Sequence, residues 1–298
     1  MAERIAAAIN SQSVFIAEAG TGTGKTFAYL VPALKSGGKV IVSTGTKTLQ
    51  DQLFNKDLPM VRDALKAPVK IALLKGRANY VCPYHLQNAL ADGRFLTRED
   101  AADARRISNF AKVTQSGDKA ECIEVSETSP VWNHATSTRE NCLGQECPNY
   151  KECFVMLARR EAMAADLVVV NHHLFFADVM LRDEGMAELL PACNTVIFDE
   201  AHQLPEVATL FFGDSTSTAQ VLDLARDART EGLTNARDCL DLQTASKQLE
   251  KVAKDTRLAV GIDAGRFSYG QLTEKPEFLP AVKLLQDEIA SFAAILET

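Results

Sequence analysis

The run Ala19-Gly20-Thr21-Gly22-Thr23-Gly24-Lys25-Thr26 constrains this chain most, because it asks for a strand, a glycine-rich turn and a helix in immediate succession. Val14-Phe15-Ile16-Ala17 before it is a short apolar run of strand character, and Phe27 to Leu34 after it has helical character. In that context the motif reads as a phosphate cradle. Its glycines let backbone N–H groups converge on phosphate oxygens, and the helix N-terminus adds a favourable partial charge. Lys25 is placed to neutralise the β- and γ-phosphates of ATP, and the Thr26 hydroxyl to coordinate Mg²⁺.

An acidic counterpart stands far downstream. Thr195-Val196-Ile197-Phe198 has a buried-strand pattern and runs into Asp199-Glu200-Ala201-His202. Residues at the C-terminal ends of parallel strands face the ligand crevice. Asp199 can hold Mg²⁺ there, Glu200 can act as general base toward the attacking water, and His202 can link the ATP site to a nucleic-acid surface. Alone these four residues would equally suit a charged strand end; the phosphate loop gives them a partner.

Between the two lies another strand, Val40-Ile41-Val42-Ser43-Thr44, followed by Gly45-Thr46-Lys47-Thr48-Leu49-Gln50. Thr44, Thr46, Lys47 and Gln50 supply hydroxyls, an ammonium and an amide, groups that suit phosphate contact without base readout. The same residues also suit a polar helix start capped by threonine. Net charge is −7, which does not announce a nucleic-acid binder, but residues 35–77 carry nine Lys/Arg against three Asp. That basic stretch overlaps the backbone-contact residues, as an electrostatic track for DNA requires.

Cys82, Cys142, Cys147 and Cys153 fall between the two halves of the ATP site, with spacers of 59, 4 and 5 residues. Four thiolates can hold zinc or an iron–sulfur cluster, and spacers of this length fit structural zinc less well than the tighter Cys-x2-Cys pairs it commonly uses. Unmetallated structural thiols are the third possibility. Seven cysteines, an odd count, and no secretory signal before Val14 argue against a disulfide framework. Cys122, Cys193 and Cys239 lie outside the pattern and read as small buried residues. No apolar run reaches membrane-spanning length, so a cytoplasmic location with no membrane partner is expected.

These motifs, in this order, resemble the DinG/YoaA-type helicases, bacterial relatives of the XPD iron–sulfur helicases of superfamily two. The matching stretches are Glu18 to Thr26, Ser43 to Leu53, Lys75 to Cys82, the cysteine cluster, Val168 to Phe175, and Phe198 to Leu204. Asn171-His172-His173-Leu174-Phe175 and Phe198 to Pro205 look most like the YoaA branch. Alanine at position 19, where the strict phosphate-loop pattern has glycine, is common in helicase ATPases. The resemblance implies an ATP-dependent DNA helicase moving 5′ to 3′ on single-stranded or forked DNA, in repair or replication. It also implies a [4Fe–4S] cluster on Cys82, Cys142, Cys147 and Cys153.

The expected architecture is α/β, a RecA-like phosphate-loop lobe with a parallel sheet. Residues 1–78 and 154–205 form the lobe, 79–153 an iron–sulfur cluster domain, and 206–298 part of a helical arch domain. Within the insertion, Asp92 to Phe110 is charged and helical in character, with Arg94, Arg98, Arg105 and Arg106. Gln220 to Val260 is largely helical. A second motor lobe and its arginine finger have no counterpart, so an internal piece of a longer protein is expected. The alternative is a non-motor nucleotide-binding iron–sulfur redox or DNA-binding protein. Three helicase-like motifs in the correct order favour the motor.

Overall fold

A computed structural model describes residues 1–297 except 94, 96, 140, 184, 186–188, 214–215, 236–238 and 262–264. The chain divides into two compact units, Met1–Gly213 and Asp214–Thr298.

The first unit is built on a four-stranded parallel sheet. Its strands are β1 (Val40–Thr44), β2 (Ile71–Leu73), β3 (Leu167–Asn171) and β4 (Thr195–Phe198), in the order β2-β3-β1-β4. Ser43 stands opposite Val170 on one side and Phe198 on the other. All strands point the same way, so Thr44, Asn171 and Asp199 emerge at one end of the sheet. The runs Val40-Ile41-Val42 and Val168-Val169-Val170 are β-branched and wholly buried, as strands covered on both faces require.

Helices supply the covers. They are α1 (Ala2–Asn10), α2 (Lys25–Lys35), α3 (Lys47–Gln52), α4 (Leu58–Leu65), α5 (Pro83–Asp92), α6 (Arg98–Val113), α7 (Trp132–Ala135), α8 (Phe154–Ala164), α9 (His172–Asp183) and α10 (Leu204–Phe212). A π-helical turn, Leu53–Asp57, joins α3 to α4. On one face, Leu30, Leu34, Leu58 and Val61 pack on Val40, Val42, Leu167 and Val169. On the other, Ile41, Val168 and Val170 share a single core with Tyr80, Val81, Leu86, Ile107, Val125 and Trp132. The cysteine-bearing segment is thus packed onto the sheet by its own apolar residues.

Two local expectations are corrected. Val14-Phe15-Ile16-Ala17 forms no strand: Val14 is 92% and Ile16 89% exposed. An apolar run of this kind is held as a strand by a paired edge and by burial of both faces, and no described element gives it either. The stretch from Asp92 to Phe110 is not one helix. Gly93, at φ 61°, ends α5, and Thr97 opens α6 with a capping box to Asp100; Arg94 lies outside the described residues.

The second unit is helical: α11 (Thr218–Asn235), α12 (Leu240–Val260), α13 (Tyr269–Thr273) and α14 (Phe278–Leu296). Val221, Ala225, Leu242, Leu249, Ala253 and Phe292 form its core. No described helix of the chain is long and apolar enough to cross a membrane.

Candidate nucleotide site and cysteine pocket

Gly22 (φ 74°) and Gly24 (φ 81°) turn the phosphate loop through the left-handed region, which side-chain-bearing residues rarely adopt. A Cβ on either would meet nothing within 4 Å, so the loop faces open space. Thr23 Oγ1 donates to the Gly20 carbonyl at 2.8 Å, and α2 starts at Lys25 with Gly24 as its cap. The unpaired N–H groups of that helix start are the anion-binding feature the sequence asks for.

The acidic motif hangs from the end of β4. The Asp199 N–H donates to the Ser43 carbonyl at 2.8 Å, fastening the motif to β1. Glu200 follows with φ 55° and ψ 45°, a strained conformation for a residue with a side chain. Its carboxylate stands 3.5 Å from Lys25 Nζ, across 175 residues of sequence, and 3.3 Å from His202 Nδ1. Asp199 accepts a hydrogen bond from the Tyr29 hydroxyl at 3.3 Å. Burial, followed by the neighbouring charge of Glu200, pushes the Asp199 pKa above the ordinary carboxylate value, against the pull of Tyr29 and Lys25. Burial raises the Tyr29 pKa, with Asp199 adding to it, so the phenol keeps its proton and donates. A cation at Asp199 and Thr26 would suit this pairing.

His172 is the polar anchor beneath. Wholly buried, it meets Ser43 Oγ through Nδ1 at 2.7 Å, and its ring lies 6.0 Å from that of Phe198. Its Nε2 has no hydrogen-bond partner among the described residues. Burial lowers its pKa, partly offset by the nearby backbone of Asp199 and Glu200. The imidazole is therefore neutral. Sequence reasoning missed both Tyr29 and His172 as site residues. Tyr29 is one helical turn past Lys25, a spacing that puts both on one face of α2, and His172 carried no signal beyond its place in a quoted stretch.

The expected nucleic-acid residues separate. Thr46 caps α3 by accepting from the Leu49 N–H at 3.2 Å, while Lys47 and Thr48 are exposed beside it. Thr44 is buried, its hydroxyl donating to the Thr46 carbonyl at 3.2 Å. Gln50 is wholly buried, and its amide donates to the Leu74 carbonyl at 2.9 Å. These two side chains brace the sheet end and do not present to a nucleic acid, a correction to the sequence expectation. Beneath them Lys75, 3% exposed, pairs with Asp51 at 2.7 Å and Asp118 at 2.6 Å. Burial works to lower its pKa, but the hydrogen bonds to Asp118 and Asp51 outweigh this and hold it above the ordinary lysine value.

Cys82, Cys142, Cys147 and Cys153 line one cavity of about 100 Å³, with Arg77, Tyr84, His85 and Arg159 around it. Cys82 precedes Pro83, the first residue of α5. Burial first, and then Cys153 and Cys147 as neighbours, raise its pKa. Among the described residues no three His, Cys, Asp or Glu side chains converge as one metal ion requires. The four thiols share the lining of one cavity. Cys122 is buried in the core and does not line the cavity.

The parallel sheet carries a phosphate-loop turn at one helix and an Asp-Glu pair facing its lysine, and the family model described as DEAD/DEAH box helicase matches residues 2–83. Along its whole length the chain is 46% identical to the ATP-dependent DNA helicase YoaA of Haemophilus influenzae, covering 47% of that protein. It is 33% identical to the ATP-dependent helicase DinG of Mycobacterium tuberculosis over 86% of the chain and 41% of the relative. A solved chain titled XPD_Helicase superposes with a TM-score of 0.49 at 15% identity, over 99% of this chain and 50% of that one. The likeness to the YoaA and DinG relatives extends over 86% or more of this chain. The chain spans about half the length of the curated relatives it matches.

Proposed function

We propose that this chain is the first motor lobe of an ATP-dependent DNA helicase that moves 5′ to 3′ on single-stranded or forked DNA and serves repair or replication. The observation that carries the reading is the meeting of Lys25 and Glu200, 175 residues apart in sequence and 3.5 Å apart in space. In this pairing the glutamate is held by the lysine. A triphosphate seated in the phosphate loop draws the ammonium to its β- and γ-oxygens, and Glu200 is freed to take a proton from the attacking water. Thr26 and Asp199 hold Mg²⁺, which neutralises charge on the phosphates. Tyr29 orients the Asp199 carboxylate. His202, exposed beside Glu200, faces outward where a second lobe or DNA would meet it.

Cys82, Cys142, Cys147 and Cys153 hold a [4Fe–4S] cluster, which when bound ties three separate segments of the insertion together. Thr46 and Lys47 contact DNA phosphates without reading bases. The helical unit 214–298 is the start of the arch domain. The test is ATP hydrolysis, with and without single-stranded DNA, by the protein carrying both motor lobes. DNA-stimulated turnover that disappears in Lys25→Ala supports the motor, and DNA-independent nucleotide binding without turnover supports the non-motor alternative.

A further inference from the structure

We propose that Gln203 is a positioning residue that couples DNA on the 45–48 loop to the nucleotide site, by bearing on the backbone at Gly45. The proposal rests on the functional reading above. Its basis is a close approach. A Cβ added to Gly45 would lie 2.3 Å from Gln203 Oε1 and 2.7 Å from its Cδ, so the amide occupies the space any side chain at position 45 would need. The Gln203 amide makes no hydrogen bond among the described residues, and its hold on Gly45 is one of contact.

Gly45 lies between buried Thr44 and the exposed Thr46 and Lys47. Gln203 closes the short 3₁₀ turn Ala201–Gln203, and its N–H donates to the Glu200 carbonyl at 3.0 Å. Glu200 itself sits in a left-handed conformation that the surrounding contacts must maintain. One further contact fastens the same segments, the Asp199 N–H donating to the Ser43 carbonyl at 2.8 Å, and Ser43 is itself held from α9 by His172 at 2.7 Å from its Oγ. These keep Ser43 and Asp199 in register, so motion of the loop concentrates at Gly45. A phosphate that draws Thr46 and Lys47 outward moves Gly45, shifts the amide resting on it, and turns the segment that aims Glu200 at Lys25. Coupling between two ligands is reciprocal, so nucleotide must change DNA affinity by the same factor.

The experiment measures that factor on this chain. Anisotropy of fluorescein-labelled oligo(dT), twenty nucleotides long, gives the DNA Kd with and without saturating Mg–ATPγS. The unsubstituted chain should show a ratio of about fivefold or more. Gln203→Ala should bring the ratio to about one while each separate affinity and the melting temperature stay near their original values. Gln203→Met, with similar reach and no amide, should preserve the ratio because the contact is steric. Gly45→Ala, which forces the amide aside, should also change it at a normal melting temperature. An unchanged ratio in Gln203→Ala, or a ratio of one in the unsubstituted chain, overturns the coupling and leaves the functional reading standing. Failure to bind either oligo(dT) or Mg–ATPγS overturns the functional reading, and the coupling with it.

Discussion

Replacing Lys75 by methionine removes the cation from between Asp51 and Asp118 while keeping the apolar stem. The ammonium is 3% exposed and Asp118 10%, so Asp118 would be left as a nearly buried, unpaired carboxylate; Asp51, 33% exposed, can be rescued by water. Breaking a buried pair by deleting one partner costs about 3–5 kcal/mol, chiefly from the stranded charge. For a unit of about 200 residues each kcal/mol moves the midpoint by roughly 2–4 °C, which predicts a drop of about 6–20 °C. Thermal unfolding followed by circular dichroism measures it. The double variant Lys75→Met with Asp118→Asn should recover at least half of the loss, because it removes the stranded charge. The raised pKa of Lys75 adds a pH signature. A cation whose pKa is higher folded than unfolded contributes its full stability below the unfolded value, about 10.4, and loses it as pH rises through the folded value. The unsubstituted chain should therefore lose stability above about pH 10.4, and Lys75→Met should lack that component. A midpoint within about 3 °C of the original, or a double variant no better than the single one, would refute the account of Lys75 as a buried clasp.

In the protein carrying both lobes, Lys25→Ala should abolish ATP hydrolysis, and Glu200→Gln should retain nucleotide binding while halting turnover; normal ATPase in either defeats the site assignment. Anaerobically purified protein should be brown, with about four irons and four inorganic sulfides per chain. Serine at Cys82, Cys142, Cys147 or Cys153 should remove the colour, and Cys122→Ser should keep it, while stoichiometric zinc without iron would show the metal assignment wrong. This chain alone should hydrolyse ATP no faster than its Lys25→Ala blank, since one lobe gives the transferring phosphoryl group no charge-stabilising arginine; robust turnover above the blank removes the half-motor reading. Its binding to single-stranded DNA should weaken steeply with salt as phosphate contacts release counterions, and a flat salt response would deny residues 35–77 that role.

What the sequence carried was the chemistry that repeats along the chain in fixed local order. The β-branched runs at Val40 and Val168 became the two central strands, and the glycines at 22 and 24 took the left-handed turns their position demanded. Motif order paired the phosphate loop with the acidic motif, but the contact of Lys25 with Glu200 itself appears only in the structure. Local pattern failed where the outcome depended on what lay alongside. Val14 to Ala17 has strand composition but no described neighbour, and β-propensity expresses burial rather than a backbone preference. Gln50 has the chemistry of a phosphate contact, but it faces two carbonyls of the sheet, and no single-sequence pattern marks which side of α3 is inward. His172 and Tyr29 were invisible for the related reason that a buried polar group is recognised only by its partners.

The core shared between the sheet and the cysteine-bearing segment makes that segment part of the first unit's own packing. Val81, wholly buried in that core, is the residue immediately before Cys82. Oxidation at the Cys82 thiol is therefore one peptide bond from the layer that covers the sheet. The segment is also not a cassette. Excising residues 79–153 would strip one face of β1, β2 and β3 rather than shorten a loop, and transplanting it into another lobe would require a sheet face with the complement of Ile41, Ala72, Val168 and Val170. A change of side-chain volume in this region is consequently felt by the sheet beneath it.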